Sequence, residues 1–185
     1  MKRTENSSRA PERDDVIAID VTNRQTALPL DEPRLRQAVR MILQDASIPE
    51  AQIGVAVVDD ATIHELNRRY LEHDEATDVL SFVLERSERY LEGEVVVCAD
   101  VAREAAPRFG WSAQDELLLY VIHGTLHLLG CDDAEPTDRA EMRGRERTYL
   151  SRFGLEPQYE ESDRENHAPG RQRPAGSSSG VDKIP

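Results

Sequence analysis

Leu117-Leu-Leu-Tyr120-Val-Ile-His123-Gly-Thr-Leu-His127-Leu-Leu-Gly130-Cys-Asp-Asp133 is the stretch on which the reading of this chain turns. Its centre is an apolar helix that carries two histidines four residues apart. One helical turn separates such positions, so both imidazoles leave the same face and can grip a single ion. Gly130 then ends the helix, as glycine does where the C′ residue must go left-handed. The chain folds back just past His127 and delivers Cys131, Asp132 and Asp133 toward the same place. Two neutral imidazoles with one anionic side chain form a catalytic zinc set, with the fourth position left to water.

A plainer reading competes with this one. Histidines on an apolar helix also occur as core residues satisfied by backbone carbonyls, and the spacing alone is common by chance. Three features favour ligands. The chain has five histidines and two of them fall at ligand spacing. A glycine stop and an acidic pair follow at once. Gly124 stands mid-helix, where it costs about 1 kcal/mol relative to alanine, which predicts a close backbone approach. The position after His123 is glycine rather than glutamate, so this is not a metalloprotease signature.

Outward from that helix the elements follow in order. Val16–Val21 alternates as a strand. Asp31 caps a helix with Pro33 in its first turn, and Leu35, Val39, Ile42 and Leu43 form its buried stripe. Ile53–Val58 is a second strand. Asp59 and Asp60 cap a helix through about Leu71, with Ile63, Leu66 and Tyr70 as its inner face. Residues 72–78 form a polar loop braced by Asp74, Thr77 and Asp78. His73, alone in that loop, reads as solvated rather than ligating. Val79–Val83 is a short strand, and the charged residues 84–92 read as a flexible connection.

Gly93–Ala99 holds the run Val95-Val-Val-Cys98 of a strand covered on both faces, with Cys98 in the core. A helix spans about Asp100–Arg108. Ser112 caps the metal helix, with Asp115 and Glu116 in its first turn. Glu135-Pro136-Thr137 starts a last helix, ending near Phe153-Gly154, with Met142, Tyr149 and Leu150 inward. Residues 1–14 and 156–185 lack apolar periodicity and are expected to be disordered tails around one domain, 15–155. The pattern predicts an α+β domain: a small mixed four-stranded sheet packed with about five helices, the metal-binding helix at its centre.

His123-Gly-Thr-Leu-His127-Leu-Leu-Gly130-Cys-Asp132-Asp133 resembles the YbeY family of bacterial metal-dependent endoribonucleases, whose pattern is H-G-x-L-H-L-x-G-Y-D-H. Leu66-Asn67 with Tyr70, then Asp74, then Thr77-Asp-Val-Leu-Ser-Phe82, is similar to that family's second block, and Gly93–Cys98 to its following strand. The resemblance covers about residues 16–155. It implies the same fold and a zinc-dependent, single-strand-specific endoribonuclease. The implied role is small-subunit rRNA 3′-end maturation and ribosome quality control. The implied partners are rRNA precursor and the small ribosomal subunit or its proteins, with no membrane and no DNA.

One zinc ion is implied. Its ligands would be His123, His127 and Asp133, the last at the family's third histidine. Cys131, at the family's tyrosine, is a competing ligand, and Asp132 matches an aspartate suited to bracing the turn. The arginine that the family carries after its tyrosine is Leu71 here. Arg69 is the substitute cation, joining His123 and His127 as catalytic residues, although an exposed helical arginine is also a plain solvated charge. The family's methionine falls near Met142, which floors the metal site or is simply core. Two rivals stand beside this reading: an assembly factor with a structural zinc closed by four protein ligands, and a metal-dependent hydrolase of a small substrate.

Composition bounds these readings. Hydrophobic residues make up 38% of 185 residues and no run approaches a membrane span. Met1–Arg13 lacks the apolar core of a signal peptide, so a cytoplasmic protein is expected, and two cysteines suit a reducing compartment. The net charge is −13, and residues 16–153 hold 15 basic against 26 acidic side chains. Such a field opposes non-specific adhesion to nucleic acid, so any RNA contact must be local, metal-bridged or assisted by a partner.

Overall fold

Four segments rich in β-branched residues pair into one sheet: β1 (Val16–Asn23), β2 (Glu50–Val58), β3 (Val79–Arg86) and β4 (Tyr90–Cys98). Between and after them come α1 (Glu32–Asp45), α2 (Asp60–Leu71), α3 (Ala99–Phe109), α4 (Ala113–Leu128) and α5 (Pro136–Ser151). The structure is a computed structural model that describes residues 16–71 and 77–159. The strand order is β1-β2-β4-β3. β1 and β4 each run parallel to β2, while β3 is antiparallel to β4, so the sheet is mixed as expected.

The alternation of β4 explains why the sheet needs two covers. Val95 and Val97 point into the main core, beneath α4, and Val96 and Cys98 into a smaller cluster on the other face. All four are nearly inaccessible to solvent. The main core gathers α1, α4 and α5 onto one face through Leu35, Val39, Ile42, Leu43, Ile122, Leu126, Met142 and Leu150. Asp31 caps α1 as expected, its carboxylate accepting from the Arg34 amide at 3.1 Å.

Two expectations need correction. Residues 84–92 are not a flexible connection: β3 runs to Arg86 and β4 starts at Tyr90, closed by the Ser87 amide donating to the Tyr90 carbonyl at 2.8 Å. Alternation is absent there because Val83–Arg86 are exposed at the sheet edge, where charge discourages further pairing. Tyr70 is not on the inner face of α2. It is 58% exposed and lies edge-on to Phe82, ring centres 5.7 Å apart, while Asn67, one turn after Ile63, is buried instead.

The packed chain also runs past residue 155, with Pro157 buried and Tyr159 bonded to α5. Otherwise the expected tails, together with His73 and Asp74, lie outside the described residues. No helix among those described is long and apolar enough to cross a membrane.

Candidate metal centre

α4 begins with a capping box. The Ser112 hydroxyl accepts from the Asp115 amide at 3.2 Å, and the Asp115 carboxylate reaches back to the Ser112 amide at 3.4 Å. Arg34 of α1 pairs with Asp115 at 2.7 Å and so joins the start of α4 to its neighbour. The other end closes where Gly130 takes φ of 83°. Its amide donates to the His127 carbonyl at 2.8 Å, and the Cys131 amide to the Leu126 carbonyl at 3.1 Å, which satisfies the last turn.

Gly124 has the close approach its position predicted. A Cβ there would lie 2.5 Å from Cγ1 of Val95 and 2.9 Å from Cγ2 of Val79. The Ser81 hydroxyl donates to the Gly124 carbonyl at 3.0 Å. Backbone therefore rests directly on β3 and β4, which fixes the depth and rotation of the two histidines.

His123 and His127 face each other edge-on, their Nε2 atoms 2.9 Å apart. The Asp133 carboxylate closes the group, 3.7 Å from each Nε2. The three ligand atoms lie within 4.8 Å of one another, and the group could hold a metal ion. Cys131 contributes its carbonyl rather than its thiol, accepting from His127 Nδ1 at 2.9 Å. Asp132 braces the turn: its carboxylate accepts from the amides of Asp133 at 2.7 Å and Ala134 at 3.2 Å, bonds that lower its pKa.

The remaining partner is Glu146, which the sequence reading missed. Its Oε1 accepts from His123 Nδ1 at 2.7 Å, and its Oε2 from the Tyr159 hydroxyl at 2.8 Å. Burial pushes His123 down, but the Glu146 hydrogen bond and charge, with Asp133, outweigh it and raise the pKa. Both Nδ1 atoms are thus committed to oxygen acceptors, which turns each Nε2 lone pair toward the shared point. This is the tautomer a zinc ligand requires, and two imidazoles with one carboxylate are a zinc-compatible donor set.

Glu146 had a signal in the sequence: it sits midway between buried Met142 and Leu150, one turn from each, on the inner stripe of α5. Met142 belongs to the main core and also lines the cleft that reaches His123 and Asp133. Arg69 is exposed on the last turn of α2, its guanidinium 5.5 Å from the Tyr70 ring centre. It is not among the residues that line that cleft.

The sequence model of one family, described as endoribonuclease YbeY, matches residues 20–154. A protein named endoribonuclease YbeY from Rhodopirellula baltica is 47% identical over 106 residues, 56% of this chain and 55% of that protein's length. One of the same name from Desulfitobacterium hafniense is 43% identical over 120 residues, 60% of this chain and 76% of its own. The chain thus spans little more than half the length of the first of these relatives. Among solved structures, that of a Thermotoga maritima protein in solution aligns with a TM-score of 0.51 at 27% identity, covering 85% of this chain and all of the other.

Proposed function

The chain belongs to the YbeY endoribonuclease family, and on that premise we propose that it is a zinc-dependent endoribonuclease specific for single-stranded RNA. In this reading it acts in the cytoplasm on ribosomal RNA precursor, in small-subunit 3′-end maturation and ribosome quality control, beside the small subunit or its proteins. The observation that carries the proposal is the convergence of two Nε2 atoms and the Asp133 carboxylate, with both Nδ1 atoms already engaged.

His123, His127 and Asp133 hold the ion. Bound there, zinc supplies Lewis acidity toward a phosphodiester oxygen and toward water. Glu146 keeps His123 in its ligand tautomer, and the Cys131 carbonyl does the same for His127. With the Cys131 thiol outside the group, three protein ligands converge among the described residues, which favours an open catalytic site over a closed structural one. Arg69 is the proposed phosphate contact on the α2 side. The net charge of −13 makes a diffuse grip on RNA unfavourable, and this favours local contact assisted by a ribosomal partner.

The test compares zinc-loaded and zinc-stripped protein on single-stranded RNA, duplex RNA, an rRNA precursor and a small phosphodiester. Zinc-dependent cleavage of single-stranded RNA and of the precursor is expected, with little turnover of the small ester. Turnover of the small ester alone would replace this reading with that of a small-substrate hydrolase.

A further inference from the structure

Glu116 is a carboxylate with no task in the metal centre. It lies two turns before His123 on α4, so Glu116, Tyr120, His123 and His127 share one helical face. The residue is 3% exposed, and its Oε2 has no hydrogen-bond partner among the described residues. The carboxylate interacts with the Tyr120 hydroxyl, yet burial, which outweighs that bond, raises its pKa, and Asp78 adds to the rise. A buried acceptor left without a donor loses its hydration with nothing in return, the more so when it is charged. Such a group calls for a ligand that brings the donor.

The space for one is present. Glu116 lines a cleft of about 330 Å³ that also reaches His123 and Asp133, and is therefore continuous with the metal group. Phe109 and Leu119 give it an apolar wall, and Arg139 and Arg143 of α5 stand along it. An aromatic wall, a deep acceptor and two guanidinium groups near the reacting centre match the base, the base edge and the phosphates of one nucleotide. The seven-residue separation of Glu116 from His123, about 10.5 Å along the helix, suits the reach from a phosphate to the far edge of its base.

We propose that this cleft is a base-specific subsite, in which Glu116 accepts from the N1–H and N2–H of an unpaired guanine beside the cleaved phosphate. Guanine alone among the four bases puts two adjacent donors on its Watson–Crick edge. Adenine and cytosine set a ring acceptor beside their amino group, and uracil flanks its one N–H with two carbonyls; each turns a lone pair toward the carboxylate. That edge is free only in unpaired RNA, so the subsite would also select single strands. The cleft as a whole is acidic, with Asp78, Asp133 and Glu146 beside Glu116, so contact with the phosphate falls to Arg139 and Arg143.

The guanine assignment rests on the proposed nuclease reading for its substrate, and the test separates the two. Zinc-loaded full chain is titrated with GMP, IMP, AMP, CMP and UMP, followed by nuclear magnetic resonance, and single-stranded RNA cleavage sites are mapped in parallel. GMP should bind about tenfold or more tightly than IMP, which lacks only the N2 amino group. Glu116→Gln should bring the two within twofold, with AMP binding unchanged. Equal binding of GMP and IMP by the unaltered chain, or a preference that survives Glu116→Gln, overturns the subsite and leaves Oε2 as a polar defect of the core. Should Glu116→Gln misfold, the unaltered chain's GMP/IMP ratio decides alone. Guanine preference without RNA cleavage would sink the nuclease reading and keep the subsite; cleavage indifferent to guanine would do the reverse.

Discussion

On one face of the sheet, α1, α4 and α5 close over Ile53, Val55, Val57, Val95 and Val97 in a single continuous core. On the other, the buried cluster consists of Val58, Ile63, Leu80, Val96 and Cys98, with Leu66 and Phe82 only partly covered. The first face holds every residue of the metal group, and its backbone touches the strands at Gly124 without an intervening side chain. The second carries α2, whose Tyr70 is left on the surface. Ligand geometry is thus tied to the larger core, while the helix bearing Arg69 rests on a smaller one. Damage to the first face should reach the metal; damage to the second should lower stability and disturb the placement of Arg69 while leaving the metal group intact.

The largest loss tests the second half of that statement. Ile63→Ala removes a fully buried side chain from the smaller cluster and should lower stability by about 2–5 kcal/mol in denaturant titration. Zinc affinity of the folded fraction should stay within twofold. A parallel fall in affinity would mean that the two faces are not independent.

Gly124→Ala comes next. The added methyl meets Val95, Val79 and Ser81, so α4 must lift from the sheet, at about 1–3 kcal/mol. Here zinc affinity should fall together with stability, which a chelator competition would register. Unchanged affinity would detach the histidines from the packing that is taken to position them.

Asp115→Asn is expected to lose about 1 kcal/mol at neutral pH, through the bonds its carboxylate accepts from Ser112 and the Arg34 pair. Burial raises the Asp115 pKa, but the Ser112 and Arg34 bonds overcome it and the net shift is downward. A depressed carboxyl stabilises the fold above its unfolded pKa, near 4, and that contribution fades as pH falls through the lower folded value. The variant's deficit should therefore shrink in acid. A deficit constant from pH 7 to pH 2 would show that the charge has no part in it. The smallest effect belongs to Tyr70→Ala, within about 0.5 kcal/mol because the ring is mostly solvated; a larger loss would restore Tyr70 to the cluster.

Much of this was legible from residues whose backbone or capping role admits few alternatives. Gly130 and Gly124 announced the turn and the close approach, and Asp31 and Ser112 marked two helix starts. The mixed sheet and its helices followed from interleaved periodicities. Where periodicity misled, a local pattern yielded to tertiary context: Tyr70 fits a helical stripe, but Asn67 took the buried place. At the strand edge, Leu84–Arg86 had no buried face to impose alternation. Within the site, the histidine pair and the acidic turn could be read directly. Glu146 needed the observation that a carboxylate interrupts an apolar stripe. Tyr159 carried no periodic signal at all, since it approaches from a segment that belongs to no helix or strand.

The central claim is that His123, His127 and Asp133 hold one metal ion together. Zinc content by elemental analysis, and affinity by chelator competition, should be compared in the unaltered chain, Asp133→Asn and Cys131→Ser. One equivalent in the unaltered chain, a tenfold or greater loss of affinity in Asp133→Asn and none in Cys131→Ser is the predicted result. Full affinity in Asp133→Asn with loss in Cys131→Ser would contradict it and make the site a His-His-Cys one.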